Sequence, residues 1–224
     1  MSQEPRVLYI EESQAIMVTV SVKRVVSIFI LRPAANHQRH NKNTCDIALF
    51  HRCATMPTFA NHWAGISGSI EEDDINPFEA AVRELQEETN ILELFAKHNG
   101  DNNNESGTNK DTTSTSLRSC INQGLHVDVS SNNSKGAFGG RIIRVYPFAL
   151  TLPTTDEKCR ETNEDCATSS IWSRLEMEGT EHDEMKFMNI EQFLEMKDPC
   201  VPSLKLAFHH ATCGSYLEVC DQTI

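Results

Sequence analysis

Apolar residues in this chain fall into a few short, dense runs separated by long polar stretches. Val25–Leu31 (VVSIFIL) is apolar at nearly every position, which predicts a buried strand within Lys23–Leu31. Asp46–Arg52 (DIALFHR) predicts a second strand ending on basic residues. Trp63–Ile70 predicts a third that bends at Gly65 and Gly68, with Trp63 in the core. The spacing then becomes helical. Pro77 suits a first helical turn, and Phe78–Glu88 offers Ala80, Ala81, Val82 and Leu85 for packing. Asn90 is placed to end that helix in the left-handed conformation. Ile121–Val129 resumes a strand or loop edge, and Arg141–Leu150 (RIIRVYPFAL) predicts a central strand. Ile171–Trp172 and Met185–Met188 read as strands around an acidic turn. Asn189 is positioned to cap a helix over Ile190–Met196. Pro202–His210 begins a last helix, apolar at Leu204, Leu206, Ala207 and Phe208.

The polar stretches divide these elements. Residues 1–20 alternate weakly and predict an edge strand or hairpin, with Val18 and Val20 on one side. Pro33–Thr44, the run SSNNSKGAFGG and Pro153–Ser169 read as loops. Residues 97–116 hold no aliphatic residue and no ring except His98, which predicts a flexible polar insert. A mostly strand body with a few separated helices argues for an α+β sandwich rather than repeated βαβ units. At 224 residues the chain fits a single domain over 1–224, with a core of about 20–210.

Charge narrows the chemistry. The formal net charge is −12, which disfavours a nucleic-acid partner and suits a site that draws cations in before an anionic substrate. The start of the chain lacks the basic and apolar regions of a signal peptide, and VVSIFIL is too short to span a bilayer. The expectation is a cytoplasmic protein without membrane attachment, and its eight cysteines then read as free thiols.

The densest chemistry lies in Trp63–Ile91. Glu84 and Glu88 are four residues apart on one helix face, and Glu87 is three from Glu84. Three carboxylates this close repel one another unless a cation neutralises them. Magnesium takes oxygen ligands of this kind and keeps several waters, and such ions can bridge a pyrophosphate and activate water. On composition alone, ELQEET is also an ordinary solvated helix face. His62, His126, His182, His209 and His210 each read as surface or packing residues rather than ligands. Arg24, Arg52 and Arg144 are candidates to meet phosphate, though strand arginines are as often simply exposed.

Gly68, five residues, Asp74, eight residues, then Arg83-Glu84-Leu85-x-Glu87-Glu88-x-Asn90-Ile91 resembles the Nudix box. Three departures stand out. Asp74 replaces the usual Glu, the spacing to Arg83 is one residue longer, and Asn90 replaces a glycine. Glu71 or Glu72 could also serve as the first carboxylate. The resemblance implies a Nudix α/β/α sandwich with a central mixed sheet and a loop-helix box. It implies Mg2+ (or Mn2+) held by Gly68, Glu84, Glu87 and Glu88, with Arg83 pinning a carboxylate. Glu181-His182-Asp183-Glu184-Met185-Lys186-Phe187 is similar to a late family segment that supplies a further ligand or general base. Glu181 is its first candidate and Glu178 the second, while Thr180 and Phe187 stand where that segment has tryptophan. The strand sequences also resemble the Nudix domain that precedes initiation-factor-2B-type sugar-phosphate isomerase-like proteins in fungi and related eukaryotes.

The function so implied is metal-dependent hydrolysis of the pyrophosphate bond in a nucleoside diphosphate linked to another moiety. Glu84, Glu87, Glu88, Arg83 and Glu181 are the catalytic set, and the partner is a phosphorylated small molecule. A homodimer is compatible with this reading. The alternatives are a non-catalytic domain of the same fold that binds or senses a phosphorylated metabolite, and a protein-binding adaptor.

Overall fold

Alternate residues of the long strands go to opposite cores, which explains why those strands read as unbroken apolar runs. The computed structural model describes residues 21–33, 45–100, 117–130, 142–151 and 171–212. Its strands are β1 (Val22–Pro33), β2 (Cys45–Arg52), β3 (Trp63–Ala64), β4 (Ile66–Ser69), β5 (Ile121–Gln123), β6 (Val127–Ser130), β7 (Ile142–Thr151) and β8 (His182–Asn189). Its helices are α1 (Pro77–Glu88), α2 (Ile91–Gly100), α3 (Ile190–Glu195) and α4 (Leu204–Thr212).

All eight strands join one mixed sheet. β1 runs parallel to β7, from Val22↔Ile142 to Leu31↔Thr151, and antiparallel to β2 and β4. β2 continues antiparallel to β3 and β8, and β7 to β5 and β6. Val26, Ile28, Ile30, Ala48, Phe50, Phe148 and Leu150 face a core closed by Ala80, Ala81 and Leu85 of α1 and by Ile91, Leu94 and Phe95 of α2. Phe29, Leu31, Ile47, Leu49, Val145 and Ala149 face a second core under Phe193 of α3 and Leu204, Ala207 and Phe208 of α4. The result is the expected α/β/α sandwich around a mixed sheet.

Several local expectations change. The strand expected over Trp63–Ile70 divides at Gly65, because β3 pairs with β2 while β4 pairs with β1. The helix α2 was not anticipated, although Ile91, Leu94 and Phe95 carry helical spacing, and it runs into the first residues of the segment read as an insert. Residues 101–116 of that insert lie outside the described residues, as do 1–20, 34–44, 131–141 and 152–170. Ile171–Trp172 begins a 3-10 helix (Ile171–Arg174) rather than a strand. Leu206 is about half exposed, while Leu204, Ala207 and Phe208 are buried as expected. Trp63 is buried, and Asn189 caps α3 by accepting from the Glu191 N–H at 2.8 Å. Among the described residues, Cys53, Cys120 and Cys200 are free thiols.

Asn90 is the instructive correction. Among the described residues, Phe59, Asn61, Ser203 and Gly179 have positive φ, and Asn90 does not. The helix ends instead at an extended Thr89, whose hydroxyl donates to the Leu85 carbonyl at 2.7 Å. Asn90 then clamps a distant segment. Its side-chain NH2 donates to the Arg174 carbonyl and its side-chain oxygen accepts from the Glu176 N–H, both at 2.9 Å. Its backbone N–H donates to the Glu176 carbonyl at 3.3 Å. Asparagine is used here for its amide, not for tolerance of positive φ. Replacing Asn90 with Ala should therefore cost about 1–2 kcal/mol, because both amide bonds are lost. Glycine should cost at least as much, and urea denaturation showing Asn90→Gly to be neutral would contradict the clamp.

Candidate active site

Asn76 starts α1 by accepting from the Glu79 N–H at 3.1 Å, with Pro77 supplying the first turn. Seven residues on, the Arg83 guanidinium folds back toward the preceding loop. Its Nε and Nη2 donate to the two Asp74 carboxylate oxygens at 3.3 and 3.0 Å. Nη2 also donates to the Ser69 carbonyl at 2.8 Å. Nη1 reaches Glu84 at 2.6 Å and Glu87 at 3.3 Å. Of the acidic residues weighed for the first carboxylate of the box, Asp74 is the one that meets Arg83. The long loop closes on itself, with the Glu71 N–H donating to Asp74 at 2.8 Å.

This network sets the local electrostatics. The hydrogen bond from Arg83 holds the Asp74 carboxyl below its usual range. Glu84 is buried, and burial pushes its carboxyl up to about 7 although Arg83 pulls the other way. Gly68 of β4 leaves the space that the Glu84 carboxylate occupies. A Cβ there would overlap the Glu84 carboxylate, so any larger residue would push that carboxylate from its place.

A second segment reaches the site from far along the chain. After the Asn90 clamp, Met177 bridges to Thr89, and the Glu178 N–H donates to the Glu88 carbonyl at 2.7 Å. Gly179, at φ +79°, turns the chain beside the Glu87 carbonyl, where a side chain would be strained. Glu181 follows, its carbonyl held by the Cys53 N–H at 2.9 Å and its carboxylate 3.7 Å from Arg52. Glu178 is exposed and does not line the cavity described below.

Gly68, Glu84, Glu87 and Glu181 line one cavity of about 530 Å³, together with Arg83, Arg52, Lys23 and Glu71. Arg52 is buried and donates to the Thr58 carbonyl at 3.3 Å. Of the other arginines considered for phosphate, Arg144 is paired with Asp128 at 2.8 and 3.0 Å, and Arg24 lies over Tyr146. Glu88 sits apart from the cavity lining. Its side chain is 5 % exposed and faces His182, itself 2 % exposed, at 3.1 Å. Burial raises the Glu88 carboxyl, and His182 draws it back down. His182, expected as a surface or packing residue, is thus a buried partner of a box carboxylate. Lys23 is a further lining residue that the sequence reading did not single out.

Among the described residues, no group of three or more His, Cys, Asp or Glu side chains converges as a formed metal site. Arg83 ties Glu84 and Glu87, and Glu88 turns to His182, so the oxygens do not meet at one point. The donor types nevertheless fit a hard divalent cation. Carboxylates from two elements share one cavity, and both Glu88 oxygens are buried without an aligned hydrogen bond.

Residues 23–121 match the family model of the NUDIX domain. No curated protein matches the chain. Among solved structures, the chain is similar to the NUDIX domain of NrtR from Shewanella oneidensis in complex with ADP ribose. That match has 13 % identity and a TM-score of 0.48, covering 85 % of this chain and 86 % of the other. It is also similar to a NUDIX hydrolase from Alicyclobacillus acidocaldarius, at 11 % identity and a TM-score of 0.48, covering 92 % and 98 %. A NUDIX hydrolase structure from Listeria monocytogenes matches at 17 % identity and a TM-score of 0.43, covering 83 % and 89 %. Likenesses this distant do not bear on substrate.

The Glu84 environment predicts a pH dependence. A carboxyl whose folded value, about 7, lies above its ordinary 4.5 favours the protonated fold. Its contribution is fully present below about pH 4.5 and is lost as pH rises through about 7. In chelator-treated protein, Glu84→Gln should therefore flatten the fall in melting temperature between pH 5 and pH 8. Parallel curves for the two proteins would place Glu84 in a wetter setting.

Proposed function

We propose that this protein is a metal-dependent diphosphatase that hydrolyses the pyrophosphate bond of a nucleoside diphosphate linked to another moiety. The supporting observation is that Glu84 and Glu87 of α1, Gly68 of β4 and Glu181 ahead of β8 line one cavity beside Arg52 and Lys23. Gly68, Glu84, Glu87, Glu88 and Glu181 would hold Mg2+ or Mn2+. Such an ion supplies Lewis-acid screening of phosphate charge. Arg83 keeps the loop and helix together, so the carboxylates are presented from a braced element. Arg52 and Lys23 offer positive charge to the phosphates.

Water attacks one phosphorus, the bond from that phosphorus to the bridging oxygen breaks, and the bridging oxygen leaves with the electron pair on the second phosphate. The proton released by the water goes to a carboxylate. Glu87 and Glu181 suit that role because their side chains are 56 % and 46 % exposed, whereas Glu84 and Glu88 are buried. The narrower likeness to the domain preceding isomerase-like proteins belongs to this same reading and adds no isomerase activity. No described helix is long and apolar enough to cross a membrane, and we take the site of action to be the cytoplasm.

A panel of nucleotide sugars, ADP-ribose, dinucleoside polyphosphates and sugar bisphosphates, each with Mg2+ or Mn2+, tests the proposal. At least one compound should be cleaved only with the metal present. Glu87→Gln should lower kcat by roughly 10²–10⁴-fold, with a much smaller change in substrate binding. Glu181→Gln should do the same if it, rather than Glu87, accepts the proton. Saturable binding without turnover for every compound would replace the enzyme with a metabolite-binding domain.

A further inference from the structure

We propose that His182 is a positioning residue that holds Glu88 in place for a divalent cation. The inference rests on the metal reading above and assigns a role within it that neither the box nor the late acidic segment specifies.

The argument begins with strand parity. On β8, Met185 and Phe187 pack on the α1 side of the sheet, while Met188 packs on the other. Continuing that alternation backwards would turn Asp183 toward α1. The β2–β8 register breaks there: His51 pairs with Glu184, but Arg52 pairs with His182, so Asp183 is an extra residue. This one-residue bulge switches the faces. Asp183 goes outward, where it meets His51 at 2.6 Å. His182 goes inward, against the Phe50 ring at 5.6 Å between centroids. Without the bulge an aspartate would face Glu88, adding a fourth carboxylate to a cluster that already repels itself. With it, an imidazole stands there.

The contact is closely confined. His182 Nδ1 lies 3.1 Å from Glu88 Oε2, with side chains 2 % and 5 % exposed. Both Glu88 oxygens and His182 Nε2 lack an aligned hydrogen-bond partner. Two buried polar side chains with so little else to satisfy them are costly, and an apolar pair would pack at less cost. A positional role explains why the pair stands here. With Oε2 set against His182 Nδ1, Oε1 is the oxygen left to a cation. The same residue is tied in sequence to Glu181, so one contact aligns a carboxylate from α1 with a carboxylate from the segment preceding β8.

The test is Mn2+ binding to metal-free protein, read by calorimetry and by the loss of the free-ion paramagnetic signal. Asparagine and leucine have nearly the same shape, but only asparagine places a donor near the position of Nδ1. His182→Leu should weaken Mn2+ binding about 10–100-fold, the scale for losing a group that orients a ligand. His182→Asn should retain most of the affinity. In a Glu88→Gln background the difference between the two should vanish. If His182→Leu fails to fold by circular dichroism, His182→Phe replaces it, since the larger ring fills the same space without a donor. Equal losses in the apolar and asparagine variants, or a difference that survives Glu88→Gln, would reduce His182 to packing. Failure of the wild type to bind Mn2+ at all would overturn the metal reading and this inference with it. Binding that is indifferent to His182 would overturn the inference alone.

Discussion

The Arg83 guanidinium is the contact on which the site's geometry depends. It joins the end of β4 through the Ser69 carbonyl, the acidic loop through Asp74, and its own helix through Glu84 and Glu87. One cation therefore fixes the strand, the loop and the helix relative to one another, with the geometry that a planar fork allows and a lysine would not. Because three carboxylates share it, none of them is fully neutralised. Glu84 and Glu87 are thereby left facing a cavity, held by a cation that neither of them has to itself.

A second constraint acts through the backbone. The segment from Arg174 to Glu178 is fastened along the C-terminal end of α1 by the Asn90 amide, the Thr89–Met177 bridge and the Glu88 carbonyl. Gly179 then turns the chain so that Glu181 lines the cavity and His182 meets Glu88. The carboxylates of the box and those of the late segment are thus placed by hydrogen bonds between main chains and one amide, not by contact between the acids themselves, which would repel. The bulge on β8 completes this arrangement by choosing which side chain looks inward.

Behind both lies the sheet. β1 is paired along most of its length on both sides and has apolar residues on both faces, so it cannot shift register without exposing one core or the other. The Gly68 position is set by that pairing, through Val26↔Gly68. The approach of β4 to α1 that admits Glu84 over Gly68 follows from it.

Local periodicity was enough to determine the long strands, the box helix and the cap at Asn189, because those signals come from residues close together in sequence. Of the candidates named from spacing and resemblance, Gly68, Arg83, Glu84, Glu87 and Glu181 share one cavity, and Glu88 does not line it. Which of Glu71, Glu72 and Asp74 serves as the first carboxylate was left open, and the fold puts Asp74 against Arg83. Asn90 was misjudged because its partners lie more than eighty residues away in sequence, at Arg174 and Glu176. His182 was read as unremarkable because its inward position depends on a bulge against β2, which no pattern within β8 announces. Glu88 looked equivalent to Glu84 and Glu87 on the helix, yet its burial against β8 sets it apart. In each case a helix or strand follows from its own residues, whereas the partner of a polar side chain follows from what the fold brings beside it.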